Sequence, residues 1–142
     1  MSEPSISQII TNTVKELRQN VPDCVAAGMV DMSTGMLLAV DTVDSHPGEV
    51  LDLLAAATFD MFQGRNVVMI EEMFNKRRGI DNAGHYFREI LVNSENLVHL
   101  FIRSSMAEDM VSVVVTRRSV NIGMLFAQAR MVMRRLDASL AG

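Results

Sequence analysis

The sequence predicts an α+β fold in which a five-stranded antiparallel sheet lies between helical layers, a three-layer α/β/α arrangement. The first observation behind this prediction is the order of the periodic segments, which is helix, two strands, long helix, three strands, helix. The second is that segments 25–30 and 110–115 are almost wholly apolar, as is typical of strands covered on both faces. The third is a pair of short polar turns, 31–35 and around 107–109, which join antiparallel neighbours.

The first helix and the first hairpin have clear local signals. Ser5-x-x-Gln8 fits a capping box, and the helical run then ends at Pro22. In the hairpin that follows, Gly35 lies where the turn needs a positive φ, and 36–40 pairs with the preceding apolar strand. Apolar residues recur at helical spacing through the first helix: Ile6, Ile10, Val14, Leu17 and Val21.

One long helix is predicted from about Gly48 to Arg78, which is roughly 45 Å at 1.5 Å per residue. Its basic end at 76–78 complements the helix dipole, and Gly79 is suited to end it. The weak point is Gly64, because glycine inside a helix costs about 1 kcal/mol relative to alanine. Close approach of a second helix and a tolerated break in the helix both explain this glycine, and both interpretations stay open.

The third strand is predicted to span His85 to Val92 and to lie at an edge of the sheet. Arg88 and Glu89 interrupt its apolar residues, and charge on a strand is one way of protecting an exposed edge. Strands 25–30 and 110–115 carry no such charge, so they are placed centrally.

The last third of the chain predicts two strands and a helix. Strands at 96–103 and 110–116 lead to an Asn-x-Gly helix entry at Asn121 and Gly123, followed by a helix with one apolar side. This unit contains no convergent nucleophile, base or metal cluster. We therefore expect the protein to act through a surface rather than through a reaction centre.

The composition indicates one acidic and apolar domain spanning 1–142. A net charge of −4 argues against a nucleic-acid binder that neutralises phosphates. Hydrophobic residues make up 49% of the chain and the mean hydropathy is +0.18, so part of the apolar surface is expected to be buried between subunits. The lone Cys24 suits a reducing compartment. The sequence has neither a signal-peptide pattern nor the roughly 20-residue apolar run of a membrane span, which predicts a cytoplasmic protein.

Enzyme motifs are missing from the sequence. There is no Gly-x-x-x-x-Gly-Lys-Ser/Thr phosphate loop and no Gly-x-Gly-x-x-Gly turn, so we expect neither nucleotide hydrolysis by the chain itself nor a bound cofactor. His46, His85 and His99 lack a Cys or carboxylate partner at metal-ligand spacing, and we predict no metal site. Cys24 lies in an apolar run and is interpreted as a small core residue rather than a nucleophile.

The whole element order resembles the Roadblock superfamily, which includes dynein light chains and the bacterial Mgl-type partners of small GTPases. The resemblance covers Ile6 to Leu140. It is sharpest at the hairpin 28–35 and at the helix entry Val120-Asn-Ile-Gly-Met-Leu125. The resemblance implies a profilin-like, Roadblock-type domain that forms homodimers and binds a small Ras-like GTPase as a regulatory scaffold, with a possible GTPase-activating role in trans.

Candidate interface residues follow from the helical and strand patterns. The long helix carries a stripe at spacings of three and four that a thin domain need not bury by itself. The edge strand can pair with its own copy and so remove the exposed edge from both subunits. The predicted dimer or partner interface is therefore Leu54, Ala57, Met61, Gly64, Val68, Phe87, Glu89 and Leu91.

Basic residues along the long helix are the candidate GTPase contacts. Arg65, Arg77 and Arg78 are possible contacts with a GTPase, and an arginine finger is one role that such a residue can take. Solvated helix ends explain the same residues. The twelve methionines, among them Met69 and Met73, suit either core filling or an adaptable binding surface.

The alternative function is a small-molecule-binding sensor of profilin-like fold. An antiparallel sheet covered by helices can leave an apolar cavity beside the sheet. A preformed pocket lined by polar groups would favour the sensor, whereas an apolar patch continuous across two subunits would favour the scaffold.

Overall fold

The structure is a computed structural model that describes residues 3–44, 48–79, 85 and 87–141, and it describes only the backbone of 48–53. The helices and strands follow one another in the predicted order, except that two helices replace the single long one. They are α1 (Ile6–Asn20), β1 (Cys24–Asp31), β2 (Met36–Thr42), α2 (Gly48–Gln63), α3 (Arg65–Arg77), β3 (Glu89–Asn93), β4 (Leu97–Arg103), β5 (Met110–Arg117) and α4 (Ile122–Ala141).

All five strands form one antiparallel sheet in the order β2-β1-β5-β4-β3. The apolar strands β1 and β5 lie inside the sheet, and β3 lies at an edge, as predicted from the charge pattern. The prediction that the edge strand begins at His85 was wrong, because β3 begins at Glu89, whose register partner in β4 is Ile102. Residue 86 lies outside the described residues.

Helices α1 and α4 close one face of the sheet. Ser5 caps α1 through the predicted capping box, in which the Gln8 N–H donates to Ser5 Oγ at 3.2 Å and the Ser5 N–H donates to Gln8 Oε1 at 3.0 Å. Asn121 caps α4 by accepting the Met124 N–H at 3.0 Å. α1 packs on β1, β2 and β5, and α4 packs on α1 and β4. One continuous buried cluster joins them, and its members include Val14, Leu17, Met29, Leu100, Val114, Leu125, Ala129 and Leu136.

Within the part of the chain that the structure describes, the opposite face of the sheet is covered only in part, by α2. A smaller cluster joins this helix to the sheet through Ala55 and Phe62 on α2 and Val30, Phe101 and Val111 on the strands. α2 packs against β2 and β1, whereas α3 packs on α2 and makes no comparable contact with any strand among the described residues. The two faces of the sheet are thus unequally buried.

The predicted 45 Å helix was wrong, because the helix breaks at Gly64. This residue has φ −60° and ψ 157°, an extended conformation that ends α2 and serves as the N-cap of α3. A methyl group on Gly64 would lie 2.5 Å from the Asp60 carbonyl oxygen. The glycine is therefore needed at a break in the helix, where its backbone approaches the Asp60 carbonyl oxygen of its own chain.

Three further local predictions are confirmed. Gly35 and Gly79 have φ values of 73° and 68°, so both occupy the left-handed region where glycine is favoured. Cys24 is buried, its thiol donates to the Ala26 carbonyl oxygen at 3.2 Å, and burial raises its pKa. Among the described residues, no helix is long and apolar enough to cross a membrane.

Candidate protein-interaction surface

An exposed apolar surface runs along one side of α3. Met69, Ile70 and Met73 are 51%, 42% and 63% exposed, and their spacing of one and four residues places them on one side of the helix. We call these three residues the α3 face. Large apolar side chains clustered at this exposure on one helix side indicate an interaction surface.

The side of α3 that faces the domain carries a buried carboxylate. Glu71 is only 5% exposed, and its Oε1 lies 3.4 Å from Nδ1 of His85, the residue that precedes the segment leading to β3. Val68 beside it is half-buried. The usual arrangement of an amphipathic helix is therefore partly reversed, since a charged residue points inward while methionine and isoleucine point outward.

A buried arginine ties the α2–α3 junction to the sheet. Arg103 is 2% exposed. Its Nε donates to the Phe87 carbonyl oxygen at 3.1 Å, and its Nη1 donates to the Glu108 carbonyl oxygen at 2.7 Å and to Gln63 Oε1 at 3.3 Å. The guanidinium also stacks over the Phe62 ring at 5.2 Å. Burial lowers the pKa of Arg103, and the nearby Glu71 and Glu108 carboxylates oppose that effect.

Glu108 links the same region to the turn between β4 and β5. Its carboxylate accepts the His85 N–H at 3.2 Å and an Arg88 N–H at 3.1 Å. Partial burial alone would raise the pKa of Glu108, but these hydrogen bonds and charges outweigh it and hold the pKa below its usual value. Arg103 and Glu108 together fix the position from which α3 projects.

An apolar groove of about 670 Å³ lies beside α2 on the incompletely covered face of the sheet. We call it the sheet groove. One wall is α2, and the floor is formed by residues of all five strands. Residues that line it include Ala57, Thr58, Met61, Val92, His99, Phe101, Val113 and Val115. Burial lowers the pKa of His99, which favours its neutral form within this apolar surface.

The predicted stripe on the long helix is divided by the break at Gly64. Leu54, Ala57 and Met61 come together on the α2 wall of the sheet groove, and Leu54 is 53% exposed. Val68 lies beyond the break on α3, so it does not continue the same surface. The α3 face was missed as a unit, although its two methionines belong to the methionine signal noted in the sequence.

The predicted edge residues do not share one surface either. Glu89 forms a bidentate ion pair with Arg130 of α4, at 2.7 and 2.8 Å, and Leu91 packs into the cluster under α1 and α4. Phe87 precedes the strand. Because side chains alternate along a strand, Ile90 and Val92 are the β3 residues on the α2 side.

The predicted basic contacts are separated along α3. Arg65 lies in its first turn, whereas Arg77 and Arg78 lie at its end, roughly 18 Å away at 1.5 Å per residue. All three are exposed. Arg77 and Arg78 can therefore act on one partner site together, while Arg65 cannot be part of the same cluster.

The histidines do not form a metal site within the residues that the structure describes. In those residues, no group of three His, Cys, Asp or Glu side chains could hold a metal ion. His85 contacts Glu71, and His99 lies in the sheet groove. His46 lies outside the described residues.

Comparison with solved structures identifies the fold. The chain is similar to the gliding protein MglB from Thermus thermophilus, with a TM-score of 0.69 and 15% identity over 99% of this chain and 95% of that chain. It is similar to a Roadblock/LC7 domain from Streptomyces avermitilis, with a TM-score of 0.66 and 16% identity over 93% and 98%. A third similarity is to profilin II from Acanthamoeba castellanii, with a TM-score of 0.55 and 11% identity over 91% and 97%.

No protein-family model matches the sequence, and no curated protein matches it significantly. At these identities the solved structures establish the fold. The predicted Roadblock-type, profilin-like architecture, including its similarity to the Mgl-type branch, is confirmed at that level.

Proposed function

We propose that this protein is a homodimeric regulatory scaffold that binds a small Ras-like GTPase and influences its nucleotide cycle. The observation that carries the proposal is the unequal burial of the Roadblock-type sheet. The α1/α4 side is closed by a continuous core, whereas the other side presents the α3 face and the sheet groove. An apolar side left open on a domain of this size supports a role in binding other proteins.

The dimer is expected to form through the β3 edge. Antiparallel pairing of β3 with its copy would continue the sheet and remove an exposed edge from each subunit. The two-fold axis of such a pair is perpendicular to the sheet, so the α2 and α3 helices of both subunits lie on the same side. Two open sides then form one broad platform, with Ile90 and Val92 near its centre.

The platform offers a GTPase both apolar and basic contacts. Arg77 and Arg78 at the end of α3 are exposed and lie near the apolar surfaces of the helix. GTPase switch regions change their order with the γ-phosphate and its magnesium ion, so a partner that contacts them binds one nucleotide state more tightly. A scaffold of this kind can alter hydrolysis by fixing the switch geometry without a catalytic group of its own.

The two arginines at the end of α3 test this proposal. Replacing Arg77 and Arg78 together by Ala should slow association with the GTPase several-fold and make the association rate less dependent on salt concentration, because charges at the rim of an interface act mainly on the encounter rate. The measurement is the association rate constant, determined by surface plasmon resonance at two ionic strengths with a GTPase purified together with the protein. Arg134→Ala with Arg135→Ala is the matched control, because it removes two adjacent exposed arginines from α4 on the closed side. Equal effects of the two pairs would contradict the proposed platform.

The sheet groove favours a second candidate function, that of a small-molecule sensor. Its volume of about 670 Å³ falls in the range of ligand sites, roughly 300–1,000 Å³. Its lining is mostly aliphatic, although Thr58, His99 and Arg117 are also part of it, and the sensor prediction required polar groups that orient a ligand. The scaffold is therefore the function that the geometry supports best.

A further inference from the structure

The strand β2 forms the edge of the sheet that lies opposite β3. We propose that this edge binds an extended segment of a partner protein, which adds one further strand to the sheet. Main-chain hydrogen bonds to an exposed sheet edge are a recurring mode of peptide recognition. The site goes beyond the scaffold proposed above, because the proposed dimer uses the β3 edge and leaves β2 free.

The backbone of β2 carries hydrogen-bonding groups that point away from the sheet. Just beyond the strand, the Val43 N–H donates to the Val25 carbonyl oxygen of β1 at 3.0 Å. The register with β1 is regular from Ala39 onward, and in an antiparallel ladder every second residue bonds to the neighbouring strand. The N–H and C=O groups of Val40 and Thr42 therefore face outward. No strand among the described residues pairs with this side of β2.

Lysine and proline, which protect many exposed strand edges, are missing from the sequence of β2. Met36, Leu38 and Val40 are 63%, 44% and 42% exposed, so large apolar side chains occur at alternate positions along the strand. The β3 edge differs, because Glu89 forms an ion pair there with Arg130. The side chains of β2 thus suit contact with the apolar residues of an added strand.

The ladder between β1 and β2 shows where such a strand can dock. An irregularity lies opposite the step from Met29 to Val30, close to the hairpin turn. A bulge bends an edge and hinders pairing, so the regular stretch from Ala39 to Thr42 is the part that is suited to pair.

Charge defines the partner segment further. Residues 31–44 contain Asp31, Asp41 and Asp44 but neither lysine nor arginine. A segment with apolar residues at alternate positions and a basic residue at one end therefore complements this edge. A second copy of β2 is a poorer match, because it brings further aspartates. Two-fold pairing at both β2 and β3 would also produce an open chain of subunits.

A synthetic peptide tests the site on the full chain. The probe is a fluorescein-labelled peptide with valine at alternate positions, threonine between them and lysine at both ends. By fluorescence polarisation we expect a dissociation constant on the order of 100 µM. The same peptide methylated on its backbone nitrogens keeps its side chains but loses its donors, and it should bind at least about ten-fold more weakly.

Val40→Pro removes the edge donor from the protein. Because the Val40 N–H faces outward, proline there takes no hydrogen bond from the ladder with β1, a position at which strands tolerate proline. The variant should bind the peptide at least about ten-fold more weakly. Val40→Thr is the matched control, since it keeps the N–H and the β-branched shape, and its affinity should stay within about two-fold. Far-UV circular dichroism verifies that both variants are folded.

Hydrogen exchange in the unaltered chain gives a measurement that needs no variant. Followed by NMR, the peptide should slow exchange of the Val40 and Thr42 amides by at least about ten-fold. The Asp41 amide bonds toward β1 and should change by no more than about two-fold.

Three results would overturn the β2 site. They are peptide binding that survives both backbone methylation and Val40→Pro, no binding at about 1 mM peptide, and an oligomer larger than a dimer that Val40→Pro reduces to a dimer. The last result would show that a second copy occupies the edge. None of the three removes the GTPase scaffold, whereas a chain that binds no GTPase would overturn the proposed function and leave the β2 site intact.

Discussion

Arg103 shows most clearly how a single residue holds the junction between α2 and α3 against the sheet. Its guanidinium connects the end of α2, the segment before β3 and the turn after β4 through Gln63, Phe87 and Glu108. In the sequence it is simply the last residue of a strand, 40 positions from Gln63. Its role could not be predicted, because hydrogen bonds over that separation leave no local pattern.

Arg103→Met should lower the free energy of unfolding by about 1–3 kcal/mol, because two buried carbonyl oxygens lose their donor. The measurement is urea unfolding followed by circular dichroism. Arg88→Met is the control, since the Arg88–Glu108 pair has side chains 47% and 34% exposed, and exposed pairs contribute about 0–1 kcal/mol. If both variants unfold at the same urea concentration, Arg103 does not hold the junction.

Among the helices and strands, the sequence predicted those whose signals are local. The capping box of α1, the Asn121 cap of α4 and the glycine at the hairpin turn each act within a few residues, and each is present. The interior position of β1 and β5 followed from their apolar runs, because strands covered on both faces have no polar face. These signals were sufficient for the element order and the fold.

The long helix was predicted wrongly because its periodicity continues across Gly64. Leu54, Met61 and Val68 keep helical spacing in the sequence, but the backbone at Gly64 is extended. The break is stabilised by contacts that depend on the folded chain, above all the anchoring of Gln63 by Arg103. For the same reason the sequence could not separate the α3 face from the α2 wall of the groove.

Gly64→Ala tests the break. A methyl group 2.5 Å from the Asp60 carbonyl oxygen requires the junction to shift, and such overpacking typically costs about 1–3 kcal/mol of folding free energy. Urea unfolding should show this loss, with no gain in helix signal by circular dichroism. A more stable and more helical variant would instead indicate that α2 and α3 merge into the continuous helix that the periodicity predicts.

In the molecule as a whole, the two sides of the sheet are buried unequally within the described residues. The α1/α4 side supplies the larger core cluster, and the α2/α3 side carries the α3 face and the sheet groove. The sequence indicated that apolar surface would be left over for a partner, but it could not show on which side, since that depends on where α3 points. The predicted interface residues Glu89 and Leu91 face the α1/α4 side, because side chains alternate along β3 and Ile90 and Val92 take the other face.

Met61→Lys should weaken the dimer, since Met61 lies on the wall of the sheet groove and an unpaired charge in an apolar interface costs several kcal/mol. Light scattering at micromolar concentration should give twice the 15.7 kDa chain mass for the unaltered protein and a lower mass for this variant. Met124→Lys, which changes a methionine 46% exposed on α4, serves as the control. A monomer in every case would contradict the dimer.

The central proposal is that the α2/α3 side of the sheet recognises the nucleotide state of a GTPase. The most direct measurement is the affinity for the purified GTPase loaded with GDP or with a non-hydrolysable GTP analogue, by isothermal titration calorimetry. We expect the two dissociation constants to differ by at least about ten-fold, a coupling of roughly 1.4 kcal/mol, within the usual range for linked equilibria. Equal affinity for both forms would contradict the regulatory mechanism, because a partner that binds two states equally shifts neither.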